Sequence, residues 1–188
     1  MNIVLIGYRG AGKSAVGAEL AGRAGMDFVD TDNLLEKHQG ASIRDIVAAG
    51  GWEHFRALEK KIIGEISRRD NLIIAPGGGA VLDPENVRSL KENGLIIWLK
   101  ADREILCQRI ERDPRSAGSR PALTAKGALE EFAEVMSVRN PLYERAADAK
   151  IDTAGLNVEE VAEAVLSAIR EKTGGLRWAG IHSERCSG

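Results

Sequence analysis

Eight residues near the N-terminus, Gly7-Tyr8-Arg9-Gly10-Ala11-Gly12-Lys13-Ser14, have the types and spacing of a triphosphate-binding loop. The apolar run Ile3–Ile6 precedes them, and the helix-like run Ala15–Leu20 follows. This is G-x-x-x-x-G-K-[ST] in the strand–loop–helix setting that the chemistry requires. Glycines let backbone N–H groups turn inward around phosphate oxygens, and the following helix points its positive end at the same anion. Gly10, Ala11, Gly12 and Ala15 would form the cradle, Lys13 would reach the outer phosphates, and the Ser14 hydroxyl would meet Mg2+. A plain glycine-rich turn is the competing reading, and the flanking patterns weigh against it. The chain is expected to bind a nucleoside triphosphate, which leaves open where the terminal phosphate goes.

Two further clusters supply candidate answers. Asp30-Thr31-Asp32 closes a short apolar run, so its carboxylates fall at the carboxyl edge of a parallel sheet, where open α/β sheets bind ligands. Alternation along a strand end turns the two in different directions, one toward a metal and one toward an acceptor hydroxyl that needs orienting and deprotonating. Asp32 as a simple helix cap and Asp30 as a solvated strand end explain the residues equally well. Leu72–Ala75 runs into Pro76-Gly77-Gly78-Gly79, again at that edge, and glycine there lets backbone approach a ligand. Arg56 and Arg139 are ordinary helix arginines by position, but arginine is also the best side chain for a bidentate grip on a carboxylate. Arg120 is placed to neutralise charge on a transferring phosphate.

The elements that must position these groups alternate along the chain. Ile3–Ile6, Phe28-Val29, Leu72–Ala75 and Leu95–Leu99 have the look of buried parallel strands, with a short fifth around Ala149–Ile151. Helical patterns cover Lys13–Gly25, Asp32–Gln39, Ser42–Gly50, Trp52–Arg69, Pro84–Glu92, Asp102–Arg112, Ala125–Arg145 and Val158–Lys172. Ser42 and the Asp83-Pro84 pair mark helix starts. The pattern predicts an α/β sandwich around a mostly parallel sheet. Asp113–Thr124, rich in Pro, Gly, Ser and Arg, is expected to be a mobile flap between two helices, and residues 173–188 a flexible tail without periodicity.

Bulk properties narrow the function. The 188 residues suit one domain, and 44% hydrophobic content is enough for a core. A net charge of −2 argues against nucleic-acid or membrane-surface binding. Cys107 and Cys186 sit at no metal-ligand spacing, and no signal-peptide pattern is read at the N-terminus, so a reduced, cytoplasmic, monomeric protein is expected. His38, His54 and His182 form no ligand set.

The order G-x-x-G-x-G-K-S, D-T-D, F-R-x-x-E (Phe55 to Glu59), G-G-G, R-P-x-L (Arg120 to Leu123) and R-x-P-L-Y (Arg139 to Tyr143) resembles the shikimate kinase family from the first strand to about Lys172. The resemblance implies a P-loop, nucleoside-monophosphate-kinase-like sandwich. In it, a parallel five-stranded sheet is flanked by helices, with a substrate-binding helical segment at about 32–62 and a mobile lid at about 112–124. It implies transfer of the γ-phosphoryl of ATP to the 3-hydroxyl of shikimate. Asp30 would help to hold Mg2+ through water, and Asp32 would bind the reacting hydroxyl as candidate base. Arg56 and Arg139 would clamp the substrate carboxylate, and Gly77, Gly78 and Gly79 would present backbone to the ring. Arg120 would act on the ATP phosphates from the lid, and Arg112 would lie against adenine.

The chain departs from the family pattern at four positions. Trp52 stands where the family usually has Glu, Val47 where a phenylalanine is expected, Ala122 where leucine is common, and Gly155 where a side chain often meets adenine. Gluconate and nucleoside monophosphate kinases share the phosphate loop and lid, but their acceptors do not need two arginines beside D-T-D and G-G-G. A nucleotide switch finds support only in Asp152-Thr153-Ala154-Gly155, which matches D-x-x-G late in the chain with no N-K-x-D partner. A catalytically dead binding module would not be expected to keep Lys13, Ser14, Asp32 and Arg120 together.

Overall fold

The computed structural model describes residues 1–112 and 128–174. Five strands, β1 (Asn2–Ile6), β2 (Asp27–Asp30), β3 (Leu72–Ala75), β4 (Gly94–Lys100) and β5 (Ala149–Asp152), form one parallel sheet in the order β2-β3-β1-β4-β5. Helices α1 (Lys13–Ala24), α2 (Thr31–Gln39), α3 (Ile43–Ile66), α4 (Pro84–Glu92), α5 (Arg103–Arg112), α6 (Ala128–Ala146) and α7 (Val158–Lys172) cover it, and a short 3-10 turn spans Ala80–Leu82.

Side chains alternate across β1, and the two cores follow from that alternation. Ile3 and Leu5 face one core with Val16, Leu20, Leu106, Val165 and Ile169. Val4 and Ile6 face the other with Ile62, Ile63, Ile66, Leu90 and Tyr143. The chain leaves β1 at the point where successive strands start to be laid down on opposite sides, the place where open α/β sheets form a crevice. The phosphate loop follows β1, D-T-D follows β2 and G-G-G follows β3, and these three strands are neighbours.

Local signals set several boundaries. Asp83 accepts from the Glu85 N–H ahead of Pro84, and Asn157 and Glu160 close a reciprocal capping box at α7. The α3 span holds the two expected helices, Ser42–Gly50 and Trp52–Arg69, which meet across a kink at Gly51, where φ 74° and ψ 177° are not helical, and the second stops at Ile66. The positive φ suits glycine and lets the chain turn between them. The expected start of α6 at Ala125, the flap and Arg120 lie outside the described residues, as does the tail from residue 175.

Candidate active site

The phosphate loop holds its shape through backbone that only glycine tolerates. Gly10 and Gly12 have φ of 81° and 93°, and a Cβ on Gly7 would stand 2.5 Å from the Leu99 carbonyl oxygen. Gly12 sits at the N-cap of α1 with no side-chain cap, which leaves the first N–H groups of that helix to the loop's concave side. The Lys13 ammonium donates to the carbonyls of Gly7 and Tyr8 at 2.8 and 3.1 Å. The Ser14 hydroxyl donates to Asp30 Oδ2 at 2.6 Å.

Asp30 is also the helix cap. Its Oδ1 accepts from the N–H groups of Asp32 and Asn33, so it is neither a solvated strand end nor a spectator. Asp32 sits in the first turn of α2 and is only 7% exposed. Between them, the Thr31 hydroxyl accepts from the Gly77 N–H at 3.1 Å and so ties the D-T-D corner to the glycine loop.

Each glycine of that loop faces a functional group, and at Gly77 and Gly79 an added side chain would force that group to shift. A Cβ on Gly77 would come within 2.8 Å of both Asp32 Oδ1 and Glu59 Oε1. One on Gly78 would approach the Gly7 carbonyl oxygen to 3.2 Å and Arg139 Nη1 to 3.6 Å. One on Gly79 would meet Arg56 Nη2 at 2.2 Å.

The arginines meet different glycines of this loop, Arg56 at Gly79 and Arg139 at Gly78. Arg56 is held in a pen: its guanidinium bonds Glu59 Oε2 at 2.5 Å and lies 5.6 and 5.1 Å from the ring centroids of Trp52 and Phe55. Arg139 is 7% exposed and lies 5.8 Å from the Tyr8 ring centroid. Glu59 is 1% exposed, and burial raises the pKa of its carboxyl, with Arg56 and Arg139 opposing and Asp32 adding to the rise. One cleft is lined by Arg9, Arg56 and Arg139 against Asp32 and Glu59, with the three glycines as its floor. Three guanidiniums against two carboxylates favour a small anionic ligand.

Comparison with known proteins identifies the family. The family model described as shikimate kinase matches residues 9–170. The chain belongs to the shikimate kinase family. It is 43% identical over 173 residues to a shikimate kinase of Syntrophus aciditrophicus, covering 88% of this chain and 89% of the relative. A solved shikimate kinase from Acinetobacter baumannii in complex with shikimate superposes with a TM-score of 0.85 at 32% identity, covering 94% of this chain and 95% of that one. A shikimate kinase from Aquifex aeolicus gives 0.77 at 28% identity, covering 93% and 99%. A gluconokinase from Sinorhizobium meliloti, at 15% identity and a TM-score of 0.52 over 93% of this chain and 94% of its own, shares the fold alone. The five-stranded parallel sheet with flanking helices is the architecture of this family.

Against the sequence expectations, the structure gathers Gly10, Ala11, Gly12, Lys13, Ser14 and Ala15 on one loop and helix start. Asp32, Arg56, Gly77, Gly78, Gly79 and Arg139 line one cleft beside that loop. Asp30 touches Ser14 rather than the cleft. Arg112 is exposed at the end of α5, whereas Arg109, one turn earlier, donates to the Thr153 hydroxyl and carbonyl, each at 2.9 Å. Val47, half-buried, packs against the core, and Ile43, one turn before it, lines the cleft. Trp52, at the family's usual Glu position, lines the cleft and flanks Arg56. Sequence reasoning assigned no role to Arg9, Glu59, Arg109 or Tyr143. Only the position of Glu59 one turn after Arg56, and of Tyr143 one turn after Arg139, hinted at the pairings found.

Proposed function

We propose that this protein is the kinase its family membership describes, transferring the γ-phosphoryl group of ATP to the 3-hydroxyl of shikimate to give shikimate 3-phosphate and ADP. The observation that carries the reading is the shared cleft, in which Arg56, Arg139 and Asp32 meet over Gly77–Gly79 directly beside the phosphate loop. Arg56 and Arg139 clamp the acceptor's carboxylate from two sides. Asp32 orients the acceptor hydroxyl and takes its proton as the new P–O bond forms and the bond to the ADP oxygen breaks. Lys13 and the α1 amides balance charge on the donor phosphates, and Arg120 does so from the lid. Catalysis then comes mainly from positioning and charge stabilisation.

Ser14 and Asp30 fit a magnesium ion. Their side-chain oxygens are already adjacent at 2.6 Å, and Mg2+ takes only one or two protein oxygens beside phosphate and water. Among the described residues there is no cluster of three His, Cys, Asp or Glu side chains that would form an all-protein cage. When bound, the ion supplies neutralisation of the β- and γ-phosphates. Among the described residues no helix is long and apolar enough to cross a membrane, and we read the enzyme as a cytoplasmic monomer.

The test is ADP release from ATP and Mg2+ with shikimate, gluconate or nucleoside monophosphates as acceptor. Shikimate alone should stimulate it, and Asp32→Asn should lower kcat by about 10²–10⁴ while ATP binding stays intact. Turnover with another acceptor only would overturn the acceptor assignment. Near-normal turnover of Asp32→Asn would remove its role as base.

A further inference from the structure

Tyr143 takes no part in the chemistry above, yet it lies directly beneath it. Its side chain is fully buried, and its hydroxyl donates to the Gly78 carbonyl oxygen at 2.5 Å across 65 residues of sequence. Arg139 stands one turn earlier on α6, on the same helix face, and its Nη1 lies 3.6 Å from where a Cβ on Gly78 would stand, so the arginine and the tyrosine meet the same glycine. The Trp98 ring of β4 packs against the tyrosine ring with centroids 5.6 Å apart. The phenol is therefore fixed by packing on its ring and by a hydrogen bond at its tip, and the partner of that bond is the acceptor loop.

The direction of the Gly78 carbonyl has a consequence for the cleft. In a trans peptide the C=O and the next N–H point to opposite sides, and among the described residues no peptide bond is cis. With the carbonyl turned down to Tyr143, the Gly79 N–H points away from it. The loop has little slack in other directions, since a Cβ on Gly78 would lie 3.2 Å from the Gly7 carbonyl oxygen and 3.6 Å from Arg139 Nη1.

We infer that Tyr143 is a positioning residue for the acceptor: its hydroxyl holds the Gly78 carbonyl beside Arg139, so that the carboxylate-binding guanidinium and the Gly78–Gly79 peptide keep one fixed geometry in the cleft. This rests on reading that cleft as the shikimate site. A tyrosine that only fills core volume would affect global stability and both substrates alike. A tyrosine that holds these two groups side by side acts on the acceptor side alone.

The experiment compares Tyr143→Phe with wild type in the full chain. Without ligand, amide hydrogen exchange at Gly78, Gly79 and Ala80 should quicken about tenfold, because one buried hydrogen bond is lost, while β1 amides stay unchanged. By calorimetry, the Kd for shikimate should rise about tenfold and that for ATP stay within about twofold. In an Arg139→Lys background, Tyr143→Phe should weaken shikimate binding by less than about threefold, since the two residues act as one unit. Replacing Tyr143 by p-aminophenylalanine keeps the ring and a donor at its tip, and should bring shikimate affinity back to within about threefold of wild type. Unchanged exchange in the loop, equal losses for ATP and shikimate, multiplicative losses in the double variant, or no recovery with the amino ring would each overturn the inference. Absence of shikimate binding to wild type would instead refute the functional reading, and loop exchange would still decide the role of Tyr143.

Discussion

Gly79→Ala is the smallest change that tests whether Arg56 grips the acceptor. Gly79 has φ −97° and ψ 0°, so alanine fits its backbone and any effect comes from the added methyl. That methyl would stand 2.2 Å from Arg56 Nη2 and 2.8 Å from Nη1 and Cζ. Reaching an ordinary 3.4 Å contact requires the guanidinium to retreat by more than 1 Å. It has no easy retreat, because Glu59 Oε2 holds it at 2.5 Å and the Trp52 and Phe55 rings flank it. A charge-assisted hydrogen bond is worth about 1.5–3 kcal/mol, so losing the grip should raise the KM for shikimate roughly ten- to a hundredfold. Glu59 loses its partner too, but a carboxyl with a raised pKa can take up a proton instead of being stranded as a charge, so the stability loss should be about 1–3 kcal/mol. Coupled ADP-release kinetics, with each substrate varied against saturation by the other, separates these effects. A KM for shikimate within about twofold of wild type would show that Arg56 is not part of the acceptor grip.

Two other changes probe the scaffold around the same site. Gly64→Ala, also on α3, places a methyl where nothing lies within 4 Å, so it should raise stability by about 0.5–1 kcal/mol in thermal unfolding and leave both KM values unchanged. Glu59→Gln should remove a pH dependence. The folded state favours the protonated Glu59 carboxyl, so wild-type stability should fall as pH rises from the ordinary carboxylate range through the raised pKa, with Arg56 and Arg139 opposing that fall and Asp32 adding to it. The Gln variant should lose this slope and show a higher KM for shikimate, and an unchanged Tm–pH profile would contradict the burial argument.

Much of the frame was legible because its signals are local. Leu72–Ala75, Pro84–Glu92 and Val158–Lys172 have the bounds that apolar runs and caps predict. The phosphate loop, D-T-D and G-G-G fall on adjacent strand ends because a parallel sheet brings its carboxyl edges together. What stayed hidden depends on partners remote in sequence. Nothing near Tyr143 announces Gly78, and nothing near Arg109 announces Thr153, 44 residues away. The break between two helices at Gly51 was legible too, because Gly50-Gly51 interrupts the pattern and only glycine takes φ 74° without strain. Both aspartates of D-T-D suit capping by type, and only the backbone shows that Asp30 accepts the two N–H bonds.

Gly77 separates two carboxylates: an added methyl there would lie 2.8 Å from each. Before transfer, that acidic corner faces a neutral hydroxyl, which it can orient without electrostatic conflict. After transfer, it faces a phosphate ester with about two negative charges. Like charges at short range in a partly desolvated cleft repel. In the proposed reaction Asp32 holds the transferred proton at that moment, and only when it gives the proton up does its charge oppose the ester, so resetting the base and loosening the product become the same event.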